Sequence, residues 1–166
     1  MAETKYVLKG LVVKYNGLFN IKAFYKFLDK FFKDYGYDKN EKVNEEKTHK
    51  GGKDIFLKLE PFRIVSDYAK NFIEVKVSMK DIKEVEIVKD DKKIKMNDGT
   101  ITIDISCYLK TDLEGRWEQK PIFVFLRTLI DKFVYKFYLG NMEADLAKDT
   151  KELYHSIKSF LNLYKY

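Results

Sequence analysis

The chain has 166 residues and a formal net charge of +6, which is the size of one ordinary domain. Hydrophobic residues make up 45% of the sequence, so the composition is that of a folded protein and excludes an intrinsically disordered chain. Aromatic residues reach 16%, with 13 Phe and 12 Tyr. We therefore expect a single domain over residues 1–166 with a sizeable core.

The cysteine content and the apolar segments indicate the cellular environment. A single cysteine, Cys107, excludes an intramolecular disulfide and favours a reducing, cytoplasmic environment. The first residues contain no apolar segment of signal-peptide length. The most apolar stretch, residues 122–139, contains Asp131 and Lys132, each of which would cost about 2.5–3.5 kcal/mol near the centre of a bilayer. We expect no membrane span.

The N-terminal part predicts a strand followed by a helix. Residues 5–15 are rich in β-branched side chains and predict the first strand, which Asn16-Gly17 should end in a turn. Asn20 occupies a helix N-cap position, apolar residues recur at helical spacing over residues 21–35, and Gly36 supplies a C-terminal stop. We expect an amphipathic helix whose aromatic stripe belongs to the core.

From residue 41 onward the period of the pattern changes to two. Apolar and β-branched side chains predict strands over residues 55–59, 73–77, 85–88, 94–96 and 101–109. Residues 41–49 are polar, and only their context before a hairpin turn indicates a strand. Residues 50–53, Lys-Gly-Gly-Lys, predict one hairpin turn, and residues 89–93 predict another. The strongest turn signal is Asp98-Gly99, which we expect to separate two strands.

The last third of the chain predicts two helices. A loop over residues 112–120 precedes Pro121, which occupies a typical first helical position. The apolar helix over residues 121–139 should end at Gly140, and Asn141 should cap a second helix that extends to residue 164. The predicted fold class is α+β, with an antiparallel sheet of about six strands packed against one N-terminal and two C-terminal helices.

This order of elements resembles the helix-grip fold of START-like and polyketide-cyclase-like proteins. In that fold a curved antiparallel sheet wraps a long C-terminal helix and leaves a cavity for an apolar ligand. The chain departs from the pattern in having one helix after the first strand and a predicted break at Gly140. Its composition is also similar to that of small lysine-rich archaeal proteins, a similarity that implies no mechanism.

The resemblance implies that the protein binds a hydrophobic or lipid-like small molecule between the sheet and the C-terminal helix, without catalysis. Aromatic residues near that helix are the predicted pocket: Trp117, Phe123, Phe125 and Phe137. The alternative is a protein-interaction or assembly module, in which the C-terminal helical pair contacts a partner or a second copy of the chain. Tyrosines on the polar side of these helices, Tyr135, Tyr138 and Tyr154, are the predicted contact residues.

A third hypothesis, non-specific nucleic-acid binding, has less support from the sequence. Lysines are interleaved with acids along the chain, and only Arg63, Arg116 and Arg127 are arginines. Catalytic signals are also few, because His49 and His155 are the only histidines and no metal-binding spacing is present. The sequence therefore predicts no catalytic residue, no cofactor and no metal site.

Overall fold

A computed structural model describes residues 3–66, 69–111 and 136–162 of the chain. The elements follow in the order β1 (Glu3–Phe19), α1 (Ile21–Asp34), β2 (Glu41–His49), β3 (Gly52–Leu59), β4 (Phe62–Ile64), β5 (Ala69–Lys89), β6 (Lys92–Thr111) and α2 (Lys136–Asn162). The predicted fold class, α+β with a six-stranded antiparallel sheet, is confirmed.

The strand order in the sheet is β1-β6-β5-β3-β2, so the first strand lies beside the last one. β3 and β4 both pair with β5 along the same side of that strand. β3 pairs with residues 75–82 of β5, and β4 pairs with residues 70–72. Pro61 separates β3 from β4, because proline cannot donate a hydrogen bond to a ladder. All pairings between the described strands are antiparallel.

The core lies on one face of this sheet, which we call the inner face. Alternate residues of β5 and β6 are buried there in one cluster with residues of both helices, so α1 and α2 cover the same face. Its central members are Ile73, Val75, Val77, Ile101, Ile103 and Ile105 from the sheet, Phe24, Leu28 and Phe32 from α1, and Leu146, Leu153 and Ile157 from α2. The opposite face, which we call the outer face, is covered by neither helix.

Helix α1 forms as its local signals predict. The Asn20 side chain accepts a hydrogen bond from the Ala23 amide at 2.9 Å and caps the first turn. Gly36 follows the helix with φ +71°, the left-handed conformation that glycine adopts without strain. The aromatic stripe of α1 belongs to the core, as expected.

Two predicted turns are wrong. β1 continues through Asn16-Gly17, and β6 continues through Asp98-Gly99. Gly17 and Gly99 are direct partners in the ladder between these strands. A Cβ on Gly99 would lie 2.5 Å from Ile82 Cδ1 and 2.9 Å from the Lys80 carbonyl oxygen. Glycine at position 99 therefore permits a close approach to β5 and does not mark a turn.

β5 and β6 form one long hairpin whose turn is Asp90-Asp91, with φ of +51° and +58°. This confirms the turn predicted over residues 89–93. Pairing to β3 ends at Ile82, and pairing to β1 ends at Asn97. Among the described residues, 85–96 therefore extend past the sheet as two strands alone, which we call the hairpin arm.

The predicted break at Gly140 is wrong. α2 continues through Gly140, and Asn141 lies inside the helix and is not a cap. Gly140 costs only about 1 kcal/mol relative to alanine in a helix, and buried residues such as Met142 and Leu146 hold the following turns against the sheet. The rest of the predicted first C-terminal helix, residues 121–135, lies outside the described residues. In the described part of the chain, no helix is both long enough and apolar enough to cross a membrane.

Candidate functional site

Four aromatic rings lie side by side across the outer face, one from each of four neighbouring strands. Tyr6 of β1 pairs with Tyr108 of β6, Tyr108 pairs with Phe72 of β5, and Phe72 pairs with Phe62 of β4. The ring centroids are 5.3 Å, 5.0 Å and 6.0 Å apart in that order. Because side chains alternate between faces and the neighbouring Ile73 and Cys107 are buried inside, these rings belong to the outer face. We call the four rings the aromatic row.

The centre of the aromatic row is tightly packed. Phe72 and Tyr108 stack with their planes 8° apart, and Tyr108 is only 4% exposed. The Tyr108 hydroxyl donates a hydrogen bond to the Glu60 carboxylate. Burial first, and then this carboxylate, raise the pKa of Tyr108 well above its ordinary value. Tyr108 therefore stays a neutral donor and fixes the middle of the row.

Three lysines lie over the rings of the row. The Lys9 ammonium is 3.8 Å from the Tyr6 centroid, and the Lys110 ammonium is 4.8 Å from the Phe72 centroid. The Lys70 ammonium is 5.6 Å from the Phe62 centroid. These are cation–π contacts, each of which is worth about 0.5–1 kcal/mol at an exposed position. Among the described residues, no carboxylate forms a salt bridge with any of the three.

The carboxylates near the row are matched by other lysines. Glu74 pairs with Lys58 at 2.7 Å and with Lys76 at 2.9 Å. Partial burial acts to raise the pKa of Glu74, but these two ammonium groups outweigh it and the pKa is lowered. Glu60 pairs with Lys42 at 3.2 Å. Since the acids are already paired, the lysines over the rings leave a local excess of positive charge.

Exposed apolar side chains extend the outer face beyond the row. Val12, Phe56 and Ile64 are exposed large hydrophobic residues of the sheet. Phe56 lies opposite Ser78 of β5, and Val12 lies opposite Asp104 of β6, both at outward-facing positions. The outer face thus combines exposed apolar area with lysines, whereas the inner face is packed against helices.

A second cluster, His49, Asp54 and Asp81, has the composition of a metal site, with its potential ligand atoms within 4.8 Å of one another. His49 Nε2 lies 3.2 Å from Asp54 Oδ1 and 3.7 Å from Asp81 Oδ1. However, His49 Nδ1 accepts the Gly51 amide hydrogen at 3.1 Å, so in the neutral ring Nε2 carries the proton and donates to Asp54.

The same carboxylate, Asp54 Oδ1, also accepts the Asp81 amide at 3.0 Å. The hydrogen bonds from Asp81 and then His49 lower the pKa of Asp54. A cation on His49 Nε2 would move the ring proton to Nδ1 and break the contact with Gly51. We therefore interpret the cluster as a structural hydrogen-bond network that connects the β2–β3 turn to β5.

The residues predicted from the sequence are only partly described. Trp117, Phe123, Phe125 and Tyr135 lie outside the described residues, and Phe137 and Tyr138 are described only as part of the first turn of α2. Tyr154 is half-buried, packs against the core and contacts the His155 ring at 5.4 Å. The proposed pocket and the proposed contact face therefore stay predictions.

Sequence reasoning missed the aromatic row. The alternation in β5 and β6 placed Phe72 and Tyr108 on the polar side of their strands, and this was the available signal. Nothing in the linear pattern related Phe72 and Tyr108 to Tyr6 or Phe62. The four residues become neighbours only through the register of the paired strands.

Comparisons of the chain with protein-family models, with curated proteins and with solved structures found no match. No family therefore supplies a role for any residue of the outer face.

Proposed function

We propose that the protein binds single-stranded nucleic acid on the outer face of its sheet. The observation that carries this proposal is the aromatic row with Lys9, Lys70 and Lys110 placed over its rings. Single-strand binders combine aromatic rings, on which bases stack, with basic groups that follow the phosphates. An antiparallel sheet with helices on one face and such residues on the other is a common platform for this task.

The chemistry of the face favours this class of ligand over others. Lysines that have no carboxylate partner in the described part of the chain attract an anion, and aromatic rings attract a planar group. Single-stranded nucleic acid offers anionic phosphates and planar bases at short spacing, whereas a duplex keeps its bases stacked against one another. Because the basic groups are lysines and not arginines, we expect contacts to phosphates and little reading of sequence.

The linear sequence indicates nucleic-acid binding only weakly, for an identifiable reason. Lys9, Lys70 and Lys110 lie in β1, β5 and β6, so the sequence shows three single charges far apart along the chain. Strand pairing gathers them around one row of rings, and salt bridges neutralise Glu60 and Glu74 nearby. The relevant quantity is the local charge of the outer face and not the charge along the chain.

Fluorescence anisotropy with a labelled oligothymidine tests the proposal. We expect binding at about 50 mM salt, weaker binding to a duplex of equal length, and an affinity that falls steeply as salt increases. Replacing Lys9, Lys70 and Lys110 together by alanine should weaken binding at least tenfold. The slope of log affinity against log salt should decrease by about two, because roughly 0.7 counterions are released for each phosphate contact on a single strand.

The matched control replaces Lys92, Lys93 and Lys95 of the hairpin arm by alanine. This variant loses the same net charge, but the arm extends away from the row. We expect it to retain most of the affinity of the unaltered protein. Equal weakening in both triple variants would show attraction to net charge alone and would contradict a site at the row.

We also propose, as a second candidate, a helix-grip-like protein that holds an apolar small molecule between the sheet and α2. Its support is the strand order, in which β1 lies beside β6, and the packing of both helices on one face. On that face the buried amide oxygen of Asn71 has no hydrogen-bond partner among the described residues, and a ligand hydroxyl could satisfy it.

Native mass spectrometry of the freshly purified protein tests the second candidate. We expect a monomer with additional mass that is lost on denaturation. A bare monomer would contradict it, and a ligand-free dimer would favour the interaction module built on the C-terminal helix.

A further inference from the structure

The faces of the two inner rings of the aromatic row are taken up by neighbouring rings and by Lys110, whose ammonium lies 4.8 Å from the Phe72 centroid and 5.4 Å from the Tyr108 centroid. Phe72 and Tyr108 stack on each other at 5.0 Å, and each also contacts a terminal ring of the row. Tyr108 is almost fully buried. A base could therefore reach these two rings only at their edges, where stacking contributes nothing.

The terminal rings differ in this respect. Among the described residues, Tyr6 and Phe62 each contact only one other ring. Tyr6 is 46% exposed, and Phe62 is half-buried. A lysine ammonium lies over each terminal ring, Lys9 over Tyr6 and Lys70 over Phe62.

The energies favour replacement of these ammonium groups by bases. An exposed cation–π contact is worth about 0.5–1 kcal/mol. Stacking of a base on an aromatic side chain is worth about 1–3 kcal/mol. A displaced lysine stays within reach of the adjacent phosphate, so its ammonium group can form an ion pair with that phosphate.

We propose that one base stacks on Tyr6 and another on Phe62, at the two ends of the row, while Lys9 and Lys70 turn to the flanking phosphates. This inference rests on the proposed function and assigns its contacts. The row crosses four strands, which places its ends roughly 14 Å apart at the usual spacing between strands. The two bases are therefore not adjacent nucleotides of the bound nucleic acid, and the shortest oligonucleotide that fills both positions has about four nucleotides.

Substitution of the terminal rings tests this assignment, with anisotropy of the labelled oligothymidine as the measurement. Tyr6→Leu and Phe62→Leu keep an apolar side chain but remove the ring, and each should weaken binding by about fivefold or more. Tyr6→Phe keeps the ring and should bind like the unaltered protein. The control is Phe56→Leu, the same kind of change at an exposed outer-face aromatic residue that is not in the row.

Competition by unlabelled oligothymidines of increasing length is the second measurement. We expect affinity to increase steeply up to about four nucleotides and slowly beyond that length. In Tyr6→Leu the steep increase should disappear, because only one end of the row still holds a base. Thermal melting of each variant shows that it is folded.

The outcomes separate this assignment from the proposed function. If both leucine variants and Phe56→Leu bind equally well while the triple lysine variant at Lys9, Lys70 and Lys110 is weakened, stacking at the ends is overturned and the binding function stands. If the unaltered protein binds no oligothymidine at about 50 mM salt, both are overturned. Equal affinity for polyglutamate and oligothymidine would indicate an acidic protein partner and would also overturn both.

Discussion

Gly52→Ala is expected to lower the free energy of unfolding by about 2–4 kcal/mol. Gly52 has φ +142°, a conformation that residues with a Cβ rarely adopt, and strain of this kind costs about 1–3 kcal/mol. A Cβ there would also lie 2.6 Å from the Ile82 carbonyl oxygen and 3.1 Å from the Asp81 carbonyl carbon. Because these are backbone atoms of the bulge in β5, they cannot move aside cheaply.

The neighbouring glycine provides the matched control. Gly51 has no positive φ, and a Cβ there would meet the His49 ring at 3.2 Å, which is a partly exposed side chain that can move. Gly51→Ala should therefore cost less than about 1 kcal/mol. Urea denaturation of both variants measures the difference. Equal destabilisation would contradict the close approach between the β2–β3 turn and β5.

Phe24→Ala is expected to lower the free energy of unfolding by about 3–5 kcal/mol, the usual cost of removing a fully buried phenylalanine side chain. Phe24 is 0% exposed and lies where α1 meets the end of α2. Its ring centroid is 5.8 Å from that of Phe160 and 6.4 Å from that of Phe27. Truncation would leave a cavity between two helices that are both held by the sheet.

Phe56→Ala is the comparison for this prediction. Phe56 is 38% exposed on the outer face, so truncation removes partly hydrated area and leaves no enclosed cavity. We expect a cost of about 1 kcal/mol or less, measured in the same denaturation series. A Phe24→Ala variant as stable as Phe56→Ala would show that α1 does not pack on the inner face.

Elements with local causes were predicted well. α1 begins at an asparagine whose side chain caps a backbone amide three residues later, and it ends at a glycine with positive φ. The inward positions of β5 and β6 follow from strict alternation over five or more residues. Both kinds of signal depend on residues that are close in sequence, so no knowledge of the tertiary structure is needed.

Glycines were interpreted wrongly where a distant contact determines their role. Asn16-Gly17 and Asp98-Gly99 have the composition of turns, yet they face each other across β1 and β6. Gly99 is required by backbone oxygens of β5 nearly twenty residues earlier. Gly140 lies within α2, because burial of the helix face outweighs the modest cost of glycine in a helix.

The sequence by itself determined the class of fold, the helix over Ile21–Asp34 and the side of each central strand on which a residue lies, because these depend on local capping and on a period of two. Only the tertiary structure decided that Tyr6, Phe62, Phe72 and Tyr108 form one row. The physical reason is register: pairing between distant strands sets which outward residues become neighbours, and a shift of one strand by one residue would move its ring to the other face.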